Sequence, residues 1–512
     1  MMYDVVKDYT PALTSQDEVD AELEGLYVRM LSLRALRNRF AHISRLPDEL
    51  LCSIFLHTLS DINIHRPIHE VSAANARLTQ VCGHWRAVAL ASSALWTSIP
   101  CYYPRMTEEY IRRAGTRPVE VVTNQPNSDA LALALAAMDR VRHLDVRTRA
   151  GAMESNSRRL SMPAPVLTRC SLSVTDAALS WLPDELFGTH APQLRSLILQ
   201  GIAIRWEALS TNPILCNLTT LALEAVPSAQ RQEPEQALTL LSQIPSLKRL
   251  HLVDALKGVD HIPSDKSGPT VWLPQLLALH IAAPTTSISA ILHSLRIHPK
   301  AKVSIYCSTV GDCSGIMSFI RRCSRDWDAV HYVRDDCNRV TYRFRAYLSA
   351  NVDSAGRALL DVTFCTSDIR DPDFFEVYDI LGSDEVRRLD MNGDYIGARL
   401  EHVFRRCRNV VTLSLQRGCV ILPILRSLMP VPSKDGRDGG VTAPLPELRE
   451  LRMSSEFWTP VSEESYLRAL DELLDRRGET LGAVLSVSVD DDEGEPAFGQ
   501  HSRPCIRGFA PL

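Results

Sequence analysis

The chain has 512 residues, of which 45% are hydrophobic and 23% charged, a composition typical of a folded globular protein and not of a disordered one. Its formal net charge of −5 is small for this length and argues against a nucleic-acid partner, because a phosphate backbone requires clustered cations. The first residues lack the basic and then apolar pattern of a secretory signal, and no segment reaches the roughly 18 apolar residues that cross a bilayer. We therefore expect no membrane partner and a cytoplasmic or nuclear location.

Residues 15–43 predict a helix of several turns within an N-terminal segment, residues 1–43. Its apolar side chains recur at spacings of four and three residues, interrupted by Arg37; they are Val19, Leu23, Leu26, Met30, Leu33 and Phe40. Such a stripe can pair with another copy of the helix or pack on the helices that follow. We expect the packing, because so short a seam with a charge in it makes a weak coiled coil.

Residues 44–100 predict two or three short helices. The first begins near Pro47, Asp48 and Glu49, since the first helical turn tolerates proline and favours negative charge. Its apolar residues at helical spacing are Leu46, Leu50, Leu51, Ile54 and Phe55. A second helical stripe consists of Leu78, Val81, Cys82 and Trp85.

After that stripe, Ser92 and Ser93 predict the cap of a short turn that carries Leu95 and Trp96. Fewer than sixty residues are too few to enclose all these large apolar groups. We therefore expect part of this surface to bind a partner. An ordinary helical hairpin, buried inside a larger domain, is the alternative.

The order LPDELL-x-x-IF, a gap, and LTQVCGHWRAVALASSALW resembles the F-box, in the version found in large fungal F-box families. In that family the motif is a helical hook that docks on a Skp-type adaptor and so connects its protein to a cullin-RING ubiquitin ligase. The connection from about Asp61 to Ala76 is longer than in the compact form of the motif, which leaves the local geometry open. The resemblance implies adaptor contact at Leu46, Pro47, Leu50, Leu51, Ile54, Phe55, Leu78, Val81, Cys82, Trp85, Leu95 and Trp96.

Beyond Pro100 a unit P-x-L-x-x-L-x-L recurs. The first apolar positions of neighbouring units are residues 141, 167, 194, 218, 247 and 276, so the steps between units are 26, 27, 24, 29 and 29 residues. The L-x-L pair predicts the buried side of a short strand, and each unit buries its apolar face only by stacking on the next. Weaker or later copies begin at Val386, Val410 and Pro446. The pattern resembles irregular leucine-rich repeats, although the asparagine or cysteine that usually follows the strand is mostly absent. A conventional α/β domain with short parallel strands is the alternative.

The predicted fold class is therefore α/β, with a helical F-box followed by a leucine-rich-repeat-like solenoid on a curved parallel sheet. Helices between the units are predicted at 234–245 and 286–299, and strands continue at 340–348, 358–366 and 484–489. The run at 431–440 predicts an exposed loop. We assign residues 1–43 to the N-terminal helix, 44–100 to the F-box, 101–490 to the solenoid and 491–512 to an acidic, flexible tail.

Motifs that carry chemistry are missing from the sequence: it has no phosphate-binding glycine loop, no nucleophile elbow and no H-E-x-x-H. The 13 cysteines, without a C-x-x-C pair, predict reduced thiols. Three clusters fit known ligand spacings poorly: His65 with His69, the group Cys313, Cys323, His331 and Cys337, and the acidic run 490–493. We expect Trp181, Trp206, Trp272, Trp327 and Trp458 to be mainly core residues.

The resemblance to the F-box implies a substrate-recognition subunit of a Skp, cullin and F-box ubiquitin ligase, and we expect no catalytic residues, metal or cofactor of its own. The hook would bind the Skp-type adaptor, and through it the cullin, while the repeats would bind an unknown protein substrate. Two alternatives remain open. One is a scaffold protein that never meets a cullin, and the other is an enzyme of unknown type within residues 101–490.

Overall fold

Helices dominate the first hundred described residues, and parallel strands dominate the rest. The computed structural model describes residues 15–63, 75, 77–259, 270–298, 301–309, 311–324, 332–337, 341–347, 360–365, 386–393, 397–415, 421–432, 441–454, 463–481 and 485–490. Contacts divide the chain into two compact units, Met1–Cys170 and Ser171–Leu512. The mixed α/β class is confirmed at this level, whereas the segment boundaries at residues 43, 100 and 490 stay predictions.

Helix α1 (Gln16–Arg39) opens the first unit with a capping box, in which the Ser15 hydroxyl accepts from the Glu18 amide and the Glu18 carboxylate from the Ser15 amide. None of its residues is buried. The expected packing of this helix on the next helices is therefore wrong. Acidic side chains crowd its first half and arginines its second half, which leaves a narrow apolar stripe that the described helices of the first unit do not cover.

The remaining helices of the first unit surround a short parallel sheet. They are α2 (Asp48–Asn63), α3 (Gly83–Ala91), α4 (Pro104–Ala114), α5 (Ser128–Ala136), α6 (Ala150–Ser155) and α7 (Ser157–Leu160). The strands β1 (Ser98–Ile99), β2 (Val119–Asn124) and β3 (Val141–Thr148) pair in parallel in that order. The strand β4 (Arg169–Val174) includes the boundary between the units.

The second unit is built on a large, mostly parallel sheet, and each recurring sequence unit in this part of the chain coincides with one of its strands. Its strands are β5 (Ser196–Gln200), β6 (Thr220–Glu224), β7 (Arg249–Val253), β9 (Ala278–Ala283), β11 (Lys302–Cys307), β12 (Tyr332–Cys337), β13 (Thr341–Tyr347), β14 (Leu360–Cys365), β15 (Arg388–Gly393), β16 (Thr412–Leu415), β19 (Glu450–Ser454) and β20 (Ser486–Asp490). Leu221, Leu250 and Leu279 lie in one register across three of them, which forms a continuous buried row.

The order of the strands departs from the chain order at one place. It runs β5, β6, β7, β9, β11, β14, β13, β12, β15, β16, β19, β20, and β13 is antiparallel to both of its neighbours. The predicted strands at 340–348 and 358–366 therefore exist, but they enter the sheet through an antiparallel excursion. Two small pairs stand apart from the sheet: β8 (Val271–Leu273) with β10 (Leu295–Ile297), and β17 (Val431–Pro432) with β18 (Val441–Thr442).

Short helices alternate with these strands. They are α8 (Trp206–Ser210), α9 (Pro234–Ser242), α10 (Thr285–Ser294), α11 (Ser314–Ser324), α12 (Gly397–Arg406), α13 (Ile421–Ser427) and α14 (Glu463–Leu481). Both predicted inter-unit helices are present, as α9 and α10. Most of the loop predicted at 431–440 and the whole tail predicted at 491–512 lie outside the described residues.

Candidate functional site

The inner face of α2 forms part of the core of the first unit. Leu51 and Phe55 are both 0% exposed, and Leu59 completes the same face one turn later. The Phe55 ring contacts the Trp85 ring of α3, with ring centroids 4.8 Å apart and planes tilted by 55°. This aromatic pair joins the two helices and fixes which face of α2 points outward.

The outer face of α2 carries apolar side chains that the first unit leaves exposed. Leu50 is 53% exposed and Ile54 40%, and Val81, just before α3, is 57% exposed. The His84 Nε2 atom lies 3.6 Å from Asp48 Oδ1, which brings the beginnings of α2 and α3 together. We name Pro47, Leu50, Ile54 and Val81 the outer patch; all four were predicted to contact the adaptor.

Four predicted contact residues lie at the edge of this patch and are half-buried: Leu46, Leu78, Cys82 and Trp85. The predicted stripe through Leu78, Val81 and Trp85 does not belong to one continuous helix. Cys82 is the N-cap of α3, and its Sγ atom accepts from the Trp85 amide at 3.5 Å. The sequence pattern did not reveal this helix boundary, because cysteine is an unusual N-cap residue.

The last two predicted contact residues, Leu95 and Trp96, are buried in a 3₁₀ turn, Ser93–Trp96. The Trp96 indole donates to the Ala89 carbonyl at 2.9 Å, and its ring meets the Tyr110 ring edge-on at a centroid distance of 4.9 Å. The Arg113 guanidinium lies 4.4 Å from the centroid of the Trp96 ring. Leu51, Phe55, Leu95 and Trp96 therefore support the outer patch from beneath in this structure, and direct adaptor contact by them stays a prediction.

Residues that the sequence did not single out also hold this region together. The buried Asn75 side chain donates to the Leu95 carbonyl at 2.9 Å and to the Tyr110 hydroxyl at 3.4 Å. Ile43 and Leu56 are exposed apolar neighbours of the patch in sequence. Ile43 could have been found, since Ile43, Leu46, Leu50 and Ile54 continue one helical spacing. Asn75 gives no comparable signal, because a polar residue beside a gap is more often solvated.

The titratable groups of the first unit whose pKa values are shifted include Cys101 and Glu109. Burial raises the pKa of the Cys101 thiol to about 12. The hydrogen bonds from Arg112 hold the pKa of the Glu109 carboxyl at about 2, so this surface ion pair persists at all physiological pH values. Neither Cys101 nor Glu109 lies among the predicted contact residues.

A second candidate surface lies in the second unit, on the accessible face of the sheet. Alternate residues of β5, β6, β7, β9 and β11 are buried, and the residues between them are mostly half-buried or exposed. His280 Nδ1 lies 3.0 Å from Ser304 Oγ, and the His280 and His251 rings meet at 4.4 Å. Burial and the neighbouring His251 lower the pKa of His280, which favours the neutral form of this imidazole.

The weaker ligand-binding candidates find little support among the described residues. His65, His69, His331, Trp327 and Trp458 lie outside them. Within the described ranges, no group of three or more His, Cys, Asp and Glu side chains could hold a metal ion. The expectation that the tryptophans are core residues holds for Trp206. It is wrong for Trp181, which is exposed with the Arg205 guanidinium 4.9 Å from its ring centroid, and for Trp272, which is exposed because it lies on the free face of the two-stranded β8–β10 pair.

Comparisons with known proteins add no family. No protein-family model matches the chain, and a search of curated proteins finds no similar sequence. In the part of the chain that the structure describes, no helix is both long and apolar enough to cross a membrane.

Proposed function

We propose that the chain is a substrate-recognition subunit of a Skp, cullin and F-box ubiquitin ligase. In this proposal residues 44–100 are an F-box that binds a Skp-type adaptor, and residues 101–490 are a leucine-rich-repeat-like solenoid that binds a protein substrate. The observation that carries the proposal is the outer patch, because the exposed side chains of α2 occupy positions where the sequence resembles the F-box. The chain itself is not the catalyst; it brings a substrate close to the ubiquitin-loaded partner.

The burial of α2 supports a binding role over a buried hairpin. A helix that served only the core would present polar residues on its outer face. Here Leu50 and Ile54 stay exposed while Leu51 and Phe55, on the same helix, are completely buried. Leaving such side chains in water forgoes about 1.5–3 kcal/mol for each one that could be buried, so a partner that covers them gains that free energy.

The parallel strands support the solenoid part of the proposal. In a repeat architecture each unit contributes one strand and contacts mainly its neighbours. The units at 141 and 167, which are 26 residues apart, correspond to the consecutive strands β3 and β4. The units at 247 and 276, which are 29 residues apart, correspond to β7 and β9, which are neighbours in the sheet. An extended strand face with many polar side chains is suited to a folded protein or a peptide.

Purification of the tagged full chain from its host cells tests the ligase assignment. We expect the adaptor and a cullin to copurify with the chain. Copurification of the adaptor without a cullin would instead favour the scaffold alternative, and the absence of both would contradict the F-box assignment.

The strand face gives a separate prediction about the substrate. Arg249 and Lys302 are exposed and share one register row, with only Ala278 between them. Reversing both charges, Arg249→Glu and Lys302→Glu, should change the proteins labelled by a proximity-labelling enzyme fused to the chain while adaptor capture is unaffected. The control is Glu235→Lys, an exposed charge on α9 outside the strand face. Equal labelling by the control and the double variant would contradict substrate binding at this face.

A further inference from the structure

The first helix has an apolar seam that the described residues of the first unit leave exposed. Its seam positions are Val19, Leu23, Leu26, Met30, Leu33 and Phe40, and each of them is exposed. The helix has 24 residues and is therefore about 36 Å long, enough for a short two-helix coiled coil. Tyr27 and Leu36, which flank the seam, are exposed as well and widen its apolar surface.

The charges on this helix are segregated by sign along its length. The first half carries the acids Asp17, Glu18, Asp20, Glu22 and Glu24 without a basic residue, and the second half carries the bases Arg29, Arg34, Arg37 and Arg39 without an acid. Two such helices repel at both ends when they lie parallel and attract at both ends when they lie antiparallel. The charge pattern of α1 therefore favours an antiparallel arrangement of two α1 helices.

We propose that α1 pairs with the α1 of a second copy of this chain as an antiparallel coiled coil. When two copies align antiparallel about residue 28, Leu23 faces Leu33 of the second copy and Leu26 faces Met30. Arg37, the charged residue within the seam, then lies next to Val19 of the second copy and near the Asp20 carboxylate, which has the opposite charge. A parallel pair would instead set Arg37 against its own copy.

The residues that flank the seam discriminate between the two directions. In the antiparallel pair Asp20 lies near Arg34 of the second copy, and this attractive contact occurs twice by symmetry, whereas Arg29 approaches its own copy only once. In a parallel pair Arg29 of one helix would approach Arg34 of the other, which is repulsive. This proposal does not rest on the adaptor proposal, because α1 shares no residue with the outer patch.

Sedimentation equilibrium of the full chain, from about 1 to about 100 µM, tests the proposal, since so short a seam should bind in the micromolar range. We expect a reversible equilibrium between one and two copies. The acid variant, Asp20→Lys, and the base variant, Arg34→Glu, should each raise the dissociation constant about tenfold, because each turns two attractive contacts into repulsive ones. The two changes combined should restore the wild-type association, because the charges then complement again.

The matched controls, Glu24→Lys and Arg39→Glu, each change one charge on the outer side of the helix, and each should leave the association unchanged. These positions are exposed, so circular dichroism should show the same fold for every variant. A wild-type chain that stays monomeric up to the highest concentration would overturn the proposal. So would a species larger than two copies, or unchanged association in both the acid and the base variants.

Discussion

Residues on the inner and outer faces of α2 have different roles, and their substitution should have different effects on stability. Phe55→Ala removes a completely buried ring that contacts Trp85, and should destabilise the protein by about 3–5 kcal/mol. Leu50→Ala, at a position that is 53% exposed, should change the free energy of unfolding by less than about 0.5 kcal/mol. Urea denaturation followed by tryptophan fluorescence measures both values. Equal losses for the two variants would show that the inner and outer faces of α2 are assigned wrongly.

Cysteine reactivity gives a second prediction for single residues. Because burial raises the pKa of Cys101 to about 12, its thiol should stay protonated and unreactive in the folded protein at pH 8. The exposed Cys216 should be alkylated readily under the same conditions. Mass spectrometry after brief iodoacetamide treatment compares the two, and urea should abolish the difference. Equal labelling in the folded protein would contradict the burial of Cys101.

The raised pKa of Cys101 also predicts that the stability of the folded protein decreases at alkaline pH. The ordinary thiol pKa is 9.0 and the folded value is about 12, so the folded chain holds this proton over a range in which the unfolded chain has lost it. The contribution of Cys101 to stability is therefore constant below about pH 9 and falls as the pH rises above it.

Among the elements, α14 is anchored by one buried arginine. The Arg477 guanidinium is 2% exposed and donates to the carbonyls of Leu428, Pro444 and Leu445, at distances of 3.2, 2.7 and 2.6 Å. Desolvation lowers its pKa to about 10, so it stays charged at pH 7. The planar fork of arginine therefore joins α14 to two neighbouring loops.

Replacement of this anchor should be costly, because three buried carbonyls lose their donor. We expect Arg477→Lys to destabilise the protein by about 1–3 kcal/mol, since a single ammonium group does not reproduce the fork. The adjacent Arg476 forms only an exposed pair with Glu472, so Arg476→Lys is the matched control with an effect below about 0.5 kcal/mol. Thermal unfolding compares the two, and similar melting temperatures would contradict the anchor.

The elements also show what periodicity can predict. The recurring leucines predicted β5, β6, β7, β9, β16 and β19, because the buried side of each parallel strand requires apolar residues two apart. The antiparallel excursion through β12 and β13 was not predicted, since alternation identifies a strand without its direction or partner. Likewise the spacing of α1 predicted a helix, but whether its stripe is covered depends on the surrounding surface, which the local pattern does not encode.

For the candidate site the sequence was informative about residue type and less so about exposure. The twelve predicted contact residues divide into exposed, half-buried and buried groups of four. Helical spacing alone does not separate Leu50 from Leu51, because both belong to a wide apolar face until the packing of Phe55 on Trp85 fixes the orientation of the helix. Charged substitutions intended to block binding should therefore use Val81 and avoid Trp85, whose loss would also disturb the core.

At the scale of the whole molecule, the chain combines a helical unit that has an exposed apolar surface with a large sheet that has an accessible polar face. We propose that the outer patch binds a Skp-type adaptor directly. The structure offers a matched control for this claim, since Leu277 in the second unit is 51% exposed, almost as much as Leu50. Aspartate at Leu277 alters an exposed leucine without changing α2.

Isothermal titration calorimetry of the purified full chain with a purified Skp-type adaptor tests the claim most directly. We predict binding by the wild-type chain and by Leu277→Asp. The combined variant Leu50→Asp, Ile54→Asp and Val81→Asp should lose at least about 100-fold in affinity while its circular dichroism spectrum is unchanged, because each charge would be buried without a partner. Equal affinity of this variant and the wild-type chain, or no binding by the wild-type chain, would contradict the account.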